Sequence, residues 1–269
     1  MISYRDIVSG LNKLELDPAL PVVAHASLSA FGELRGGADT LLGALLRATP
    51  RLMMPTFTYK TMLIPEDGPP NNGILYGSGR DQNRMAEFFH MDMPADRLMG
   101  IIPETLRKMP GSTRTAHPIM SFCGKNTETI LAAQTLAEPL APLRRLVKMG
   151  GWVLLAGVGH TSNTTIHYAE KLAGRQQLTR WALTPHGVVA CPNMPGCSEG
   201  FDQAESTLDA ITRRSTIGNA VIRALPAAKM VELLVELLKD DAGALLCQGS
   251  DCERCDAVRE SLSHNPQEA

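Results

Sequence analysis

The sequence predicts an α/β fold, a single domain with a mixed, mainly parallel central sheet flanked by helices. Two stretches carry that expectation. Residues 22–58 read as an apolar strand, a glycine-bearing loop, a helix and a second apolar strand, which is one βαβ unit. Residues 150–170, GGWVLLAGVGHTSNTTIHYAE, set another apolar run against a glycine turn and a polar cluster able to start a helix. At 269 residues and 44% hydrophobic, the chain can bury a full core without disulfides or metals. Residues 1–260 are expected to form the domain, and the polar residues 261–269 a disordered tail.

Taken in order, residues 1–15 space Ile7, Leu11 and Leu14 on one helical face. Val22 and Val23 mark a strand that leads into a loop rich in small polar residues, and residues 38–48 follow as a helix. Pro55 stops the next strand, LMMPTFT. Residues 60–83 hold Pro65, Pro69, Pro70 and several glycines and read as a long loop. Short helices are expected at residues 85–89 and 100–107, and Pro118 keeps residues 113–124 extended. Residues 127–134 are helical by spacing, Pro139 and Pro142 flank a connector, and residues 143–149 lead into the strand at 152–156. Beyond Glu170, Trp181 and residues 188–190 suggest antiparallel strands about His186 and Gly187, with residues 191–201 as a loop. Residues 202–214 and 226–239 have helical spacing, the second with Met230, Leu233, Leu234, Leu237 and Leu238 in a core-facing stripe.

Composition excludes several classes. The 26 basic and 28 acidic residues give a net charge of -2, which provides no overall basic field for nucleic acid or an anionic membrane. No run approaches the ~18 apolar residues of a membrane span, and the N-terminus has no signal-peptide pattern, so a cytoplasmic protein is expected. Six cysteines are too few for a disulfide scaffold. Cys252 and Cys255 make one CxxC pair, and with Cys197 and Cys247 they are candidates for a structural four-thiolate zinc site, although the second tight pair of a zinc ribbon is missing. Separate thiols are the plainer alternative.

The chemistry concentrates at the second glycine turn. GVGHTS, residues 157–162, lacks the Lys of a phosphate-binding P-loop and does not match GxGxxG. No GxSxG elbow is present for a serine hydrolase. His167 stands three residues before Glu170, so both project from one helix face just beyond a strand's carboxyl end, where open α/β sheets collect ligands. An imidazole there can take the proton of an attacking amine, and Glu170 is placed either to orient it or to face solvent. His25, Ser27 and Ser29 end the first strand, where hydroxyls and amides can hold a diphosphate or an amide chain.

Six segments together resemble the aminoglycoside N3-acetyltransferase family, also called the antibiotic N-acetyltransferases. They are residues 22–32 (VVAHASLSAFG), 36–46 (GGADTLLGALL), 52–58 (LMMPTFT), 102–126 (IPETLRKMPGSTRTAHPIMSFCGKN), 150–170 and 217–226 (IGNAVIRALP), in the family's order. The resemblance implies acetyl transfer from acetyl-CoA to the 3-amino group of a 2-deoxystreptamine ring, with His167 as general base. It implies CoA binding by His25, Ser27, Leu28, Ser29, Ala30 and Gly32, with Thr56 near the thioester and Thr115, His117 and Ser121 lining the same cleft. Thr115 stands where the family often has Ser. The family's downstream acid matches Glu199, with Glu170 and Asp202 as rivals. Glu66, Asp67, Asp81 and Glu87 are candidates to receive a polycationic amine. The same transfer to another amine, or a zinc-stabilised binding module without activity, are the alternatives.

Overall fold

In a computed structural model, residues 1–263 are described. Helix α1 (Tyr4–Asn12) begins in a capping box between Ser3 and Asp6, and strand β1 (Val22–Ala26) follows. A 3-10 turn (Leu28–Phe31), helix α2 (Gly37–Ala48) and strand β2 (Leu52–Pro55) complete the first unit. Strand β3 (Met62–Leu63) and helix α3 (Arg80–Arg84) bracket the long loop, after which come α4 (Ile101–Lys108), β4 (Thr113–Arg114), β5 (Phe122–Lys125), α5 (Glu128–Leu131) and α6 (Ala141–Lys148). Strand β6 (Trp152–Ala156) leads through a 3-10 turn (His160–Ser162) into α7 (Thr165–Leu172). Strands β7 (Leu178–Thr184) and β8 (Gly187–Met194), a broken helical stretch containing α8 (Glu205–Leu208), strands β9 (Arg213–Ile217) and β10 (Ala220–Pro226), and helices α9 (Ala227–Asp240) and α10 (Glu253–Ser263) complete the described residues.

The main sheet has the order β4-β5-β2-β1-β6-β10-β9. Its centre, β2-β1-β6, is parallel as expected, but β4–β5, β5–β2, β6–β10 and β10–β9 all pair antiparallel. The expectation of a mainly parallel sheet therefore holds only for the core of a mixed one. The reason is connection length: only Gly218 and Asn219 join β9 to β10, far too few residues for a parallel crossover. A second sheet, β3-β7-β8, is antiparallel throughout.

Strands β1 and β6 are buried on both faces, which is why they read as unbroken apolar runs. Val22, Ala24, Leu52, Met54, Leu154 and Ile222 face a core built with α1, α2 and α4. Val23, Met53, Val153, Leu155 and Leu225 face the other, with α5, α6, α7 and α9. Parallel register from Val22 beside Trp152 to Ala26 beside Ala156 makes both strands end at one edge, so the turns that follow them emerge side by side. No helix is long and apolar enough to cross a membrane among the described residues.

Several local expectations change. Residues 85–89 are not helical, because the helix of that region is α3, five residues earlier in chain order. Residues 113–124 fold back as the β4–β5 pair instead of running straight through. Residues 202–214 break into short 3-10 and α turns before β9, and residues 191–194 finish β8. Ser261–Ser263 lie in α10, and the rest of the expected tail, residues 264–269, lies outside the described residues.

Leu154, fully buried on β6 beside the central strand, tests this layering. Leu154→Ala is expected to lower unfolding free energy by about 2–5 kcal/mol in urea titration; a loss under about 1 kcal/mol would contradict the two-sided core.

Candidate active site

The carboxyl edge of β6 delivers a three-residue charge chain. Asn163 Oδ1 accepts from the Thr165 amide at 3.2 Å as α7 begins. One turn along α7, His167 Nδ1 donates to Glu170 Oε2 at 2.6 Å, the contact that three-residue helical spacing makes possible. Arg175 donates from Nη1 to the other oxygen, Glu170 Oε1. Both carboxylate and guanidinium are nearly buried, with side-chain exposures of 4% and 6%.

Arg175 reaches that position through the end of the helix. Gly174 adopts φ +88°, its amide bonds the Lys171 carbonyl at 3.2 Å, and the Arg175 amide bonds the Glu170 carbonyl at 3.0 Å. This is the paired bonding of a Schellman C-cap, which turns the chain back over the last helical turn. Arg175 Nη2 then anchors to the carbonyls of Ala242 and Ala244 at 2.8 and 2.7 Å. The ion pair keeps Glu170 an acceptor, so the shared proton belongs to Nδ1 and the lone pair to Nε2. The His167 ring packs at 4.7 Å, edge-on, against Phe201.

His167 lines a cleft of about 1120 Å³. Single-ligand pockets hold roughly 300–1,000 Å³, so this one lies just beyond the large end of that range. One wall is the turn after β1, with His25, Ser27, Leu28, Ser29 and Gly32. Ser27 caps that turn without a side-chain bond to its amides, and its hydroxyl lies 3.1 Å from that of Ser29. At the neighbouring turn after β6, by contrast, Asp202 Oδ1 accepts from the His160 and Thr161 amides at 2.6 and 3.3 Å. Those amides are already satisfied by a carboxylate, and an anion has no place there. Gly157, at φ +73°, lets the two turns touch: a Cβ on it would lie 2.5 Å from that of Ala30.

Burial pushes His25 down to about 3, and its Nε2 is buried without a protein partner. It therefore stands neutral at the base of the Ser27 wall, free to bond a ligand. Burial likewise lowers His160, whose Nε2 is 3.4 Å from Glu205.

Other expected residues sit elsewhere. Ala30, Thr56, Thr115, His117 and Ser121 are not among those that line the cleft. Thr56 and Ser121 bind each other: Ser121 Oγ donates to the Thr56 carbonyl at 2.7 Å, and Thr56 Oγ1 to the Ser121 carbonyl at 3.1 Å. Arg114 joins them, donating from Nε to Ser121 Oγ at 3.1 Å and from Nη2 to the Thr56 carbonyl at 2.9 Å. Thr115 Oγ1 accepts from the Phe122 amide at 2.8 Å. His117 Nδ1 accepts from the Ile119 and Met120 amides at 3.2 and 3.0 Å, and burial pushes its pKa down to about 4. These polar side chains hold the backbone that places Ile119 and Met120 on the cleft wall.

Glu199 is exposed at the cleft and makes no bond to His167; the carboxylate partner is Glu170. Glu66, Asp67, Asp81 and Glu87 do not line the cleft, and Glu87 pairs with Lys60 at 3.2 Å. The cleft is lined as well by Arg180 and Arg254, which spacing and motifs did not single out. Burial, with Arg254 nearby, lowers Arg180 to about 10. Its Nη1 donates to the Asn72 carbonyl at 2.9 Å. Cys197, Cys247, Cys252 and Cys255 gather together, their Sγ atoms all within 4.8 Å of one another.

The family described as aminoglycoside 3-N-acetyltransferase matches residues 23–239. A relative from Salmonella sp, aminoglycoside N(3)-acetyltransferase III, is 32% identical over 185 residues, covering 64% of this chain and 62% of its own length. The match thus spans about three fifths of that relative. Among solved structures, the apoenzyme of aminoglycoside acetyltransferase AAC(3)-IVa superposes with a TM-score of 0.78 at 25% identity, covering 97% of this chain and 98% of that one. A binary complex of AAC-IIIb with CoASH superposes with a TM-score of 0.70 at 24% identity, covering 88% and 96%.

Of the three depressed histidines, His25 and His117 set an acid limit on stability. Between pH about 6.5 and about 4 the unfolded chain protonates sites 25 and 117 while the native protein does not, so stability falls as pH falls, by up to about 1.4 kcal/mol per pH unit for each group. Unfolding titrations from pH 7 to 5 are expected to show this slope, flattened in the double variant His25→Asn/His117→Asn. An unchanged slope in that variant contradicts the assignment.

Proposed function

This chain belongs to the aminoglycoside 3-N-acetyltransferase family, and on that premise we propose that it transfers an acetyl group from acetyl-CoA directly to the 3-amino group of a 2-deoxystreptamine aminoglycoside. The observation that carries the reading is the buried Arg175–Glu170–His167 chain opening onto a cleft of about 1120 Å³ that the Ser27 turn also lines. CoA lies along the Ser27 wall, where hydroxyls, open amides and His25 Nε2 offer bonds to its pantetheine amides and phosphates. Binding of CoASH by a structure of the same fold supports that use of the cleft.

An amine attacks only after losing its ammonium proton, and the zwitterionic adduct must lose another as it forms. His167 Nε2 takes that proton as the new C–N bond forms at the thioester carbonyl, and the charge on the imidazolium is stabilised by Glu170. The C–S bond then breaks, the carbonyl re-forms, and the CoA thiolate accepts the proton held by His167. The oxyanion draws on amides of the turn after β1, since the Thr56 hydroxyl is already bonded. No cysteine lines the cleft among the described residues, in keeping with transfer that passes through no acyl-enzyme. Six free cysteines fit a cytoplasmic setting.

A second reading, the same transfer to a different amine, rests on Arg180 and Arg254. Two guanidinium groups against Glu199, the single carboxylate lining the cleft among the described residues, favour an acceptor that carries an anionic group over a polycation.

His167→Ala is expected to lower kcat/KM for acetyl transfer by about 10²–10⁴ while leaving CoA affinity within about threefold. A variant as active as the parent removes the proposed base. Steady-state rates on a panel of amines separate the two acceptors: turnover of 2-deoxystreptamine compounds is expected, whereas CoA binding with turnover only of amines bearing a carboxylate or phosphate overturns the first reading in favour of the second.

A further inference from the structure

Helix α10 has little to hold it down. Its buried residues are Cys255, Ala257 and Val258, a thin apolar face for eleven residues. It is pinned from the long loop by Asn71 Nδ2, which donates to the Ala257 carbonyl at 2.9 Å, and by Gly73, where a Cβ would lie 2.9 Å from the Arg254 Cα. Yet Arg254 on this helix lines the cleft, together with Gly196, Ser198 and Glu199 of the loop after β8. What joins helix and loop is the group of four cysteines.

Cys197 comes from the loop, Cys247 from the segment after α9, and Cys252 and Cys255 from the start of α10. Four thiolates about a tetrahedral zinc at about 2.3 Å stand about 3.8 Å apart. The observed limit of 4.8 Å needs only a small contraction to reach that. Two amides already point at sulfur: Glu199 N–H to Cys197 Sγ and Cys247 N–H to Cys255 Sγ, each at 3.4 Å. Such bonds spread the charge of thiolates. Arg259 Nη2 donates to the Cys247 carbonyl at 2.5 Å, which brings a cation beside a centre that would be dianionic when filled. An all-sulfur tetrahedral set selects zinc over harder cations and leaves no open position for catalysis.

We propose that Cys197, Cys247, Cys252 and Cys255 bind one structural Zn²⁺ that fastens α10 to the loop after β8 and so builds the cleft wall bearing Glu199 and Arg254. The metal is a clamp on acceptor-side geometry. The segment it holds also leads back to the charge chain, because Ala242 and Ala244, a few residues before Cys247, bond Arg175.

The test needs no activity, so its failure is separate from any failure of the acetyl-transfer reading. Elemental analysis of the full chain purified with zinc present is expected to give one zinc per chain, released as a mercurial titrates four thiols. Cys123→Ser/Cys191→Ser, outside the cluster, is expected to keep the zinc and Cys252→Ser/Cys255→Ser to lose it. Hydrogen exchange on the wild-type chain before and after chelation covers the case in which the latter fails to fold. Amides of residues 195–200 and 245–258 are expected to exchange at least about tenfold faster without metal, while β1 and β6 stay unchanged. Less than about one tenth of a zinc per chain, or disulfides within the cluster, overturns the site. Zinc binding with no change in those amides, or an equal rise across β1 and β6, overturns the local clamp.

Discussion

A buried carboxylate has to be answered by charge or hydrogen bonds, and in this protein the answer is given to Glu170 from both sides. Arg175 takes one oxygen and His167 Nδ1 the other. Removing one member of such a buried set typically costs about 3–5 kcal/mol, because the remaining charge is left without a partner. That cost fixes the imidazole's rotation and leaves Nε2 as its free nitrogen. The imidazole is thus oriented by folding, and no ligand is needed to orient it. The arrangement rests on an ordinary feature of helix ends, the glycine at C′ that returns the chain over its last turn.

The rest of the architecture serves to bring a second wall to that imidazole. Parallel pairing of β1 with β6 ends both strands at one edge, and Gly157 allows their turns into contact. The two turns look alike in sequence, each small and polar after an apolar strand. Their amides are used differently. Asp202 closes those at His160 and Thr161, while the turn at Ser27 has no such cap. Division of labour between an open turn and a closed one follows from a single carboxylate supplied from beyond β8.

Much of this was legible beforehand, for physical reasons. Strands buried on both faces announce themselves as apolar runs, as residues 22–26 and 152–156 do, and the stripe on α9 is a period that only a helix explains. His167 with Glu170 followed from helical spacing. Arg175 lay outside that logic, since it reaches Glu170 through a reversal of chain direction; the signal was Gly174 just past the helical pattern. Thr56, Thr115 and Ser121 matched motif positions, yet their hydroxyls are spent on backbone and on Arg114, a partner that one-dimensional spacing does not reveal. The antiparallel flanks were missed because Arg213 and Arg214 interrupt the apolar pattern of β9, although the Gly218–Asn219 pair marked the hairpin. Arg180 and Arg254 come from distant segments and meet only in the fold.

The central claim is that Glu170 locks His167 with its proton on Nδ1 and its lone pair on Nε2 toward the cleft. Nitrogen NMR of the histidine-labelled protein, with His167 assigned by substitution, tests it most directly. The account predicts a neutral ring protonated at Nδ1, with that proton shifted strongly downfield by the carboxylate and lost from its position in Glu170→Gln. A neutral ring protonated at Nε2, or a spectrum indifferent to Glu170→Gln, would contradict it.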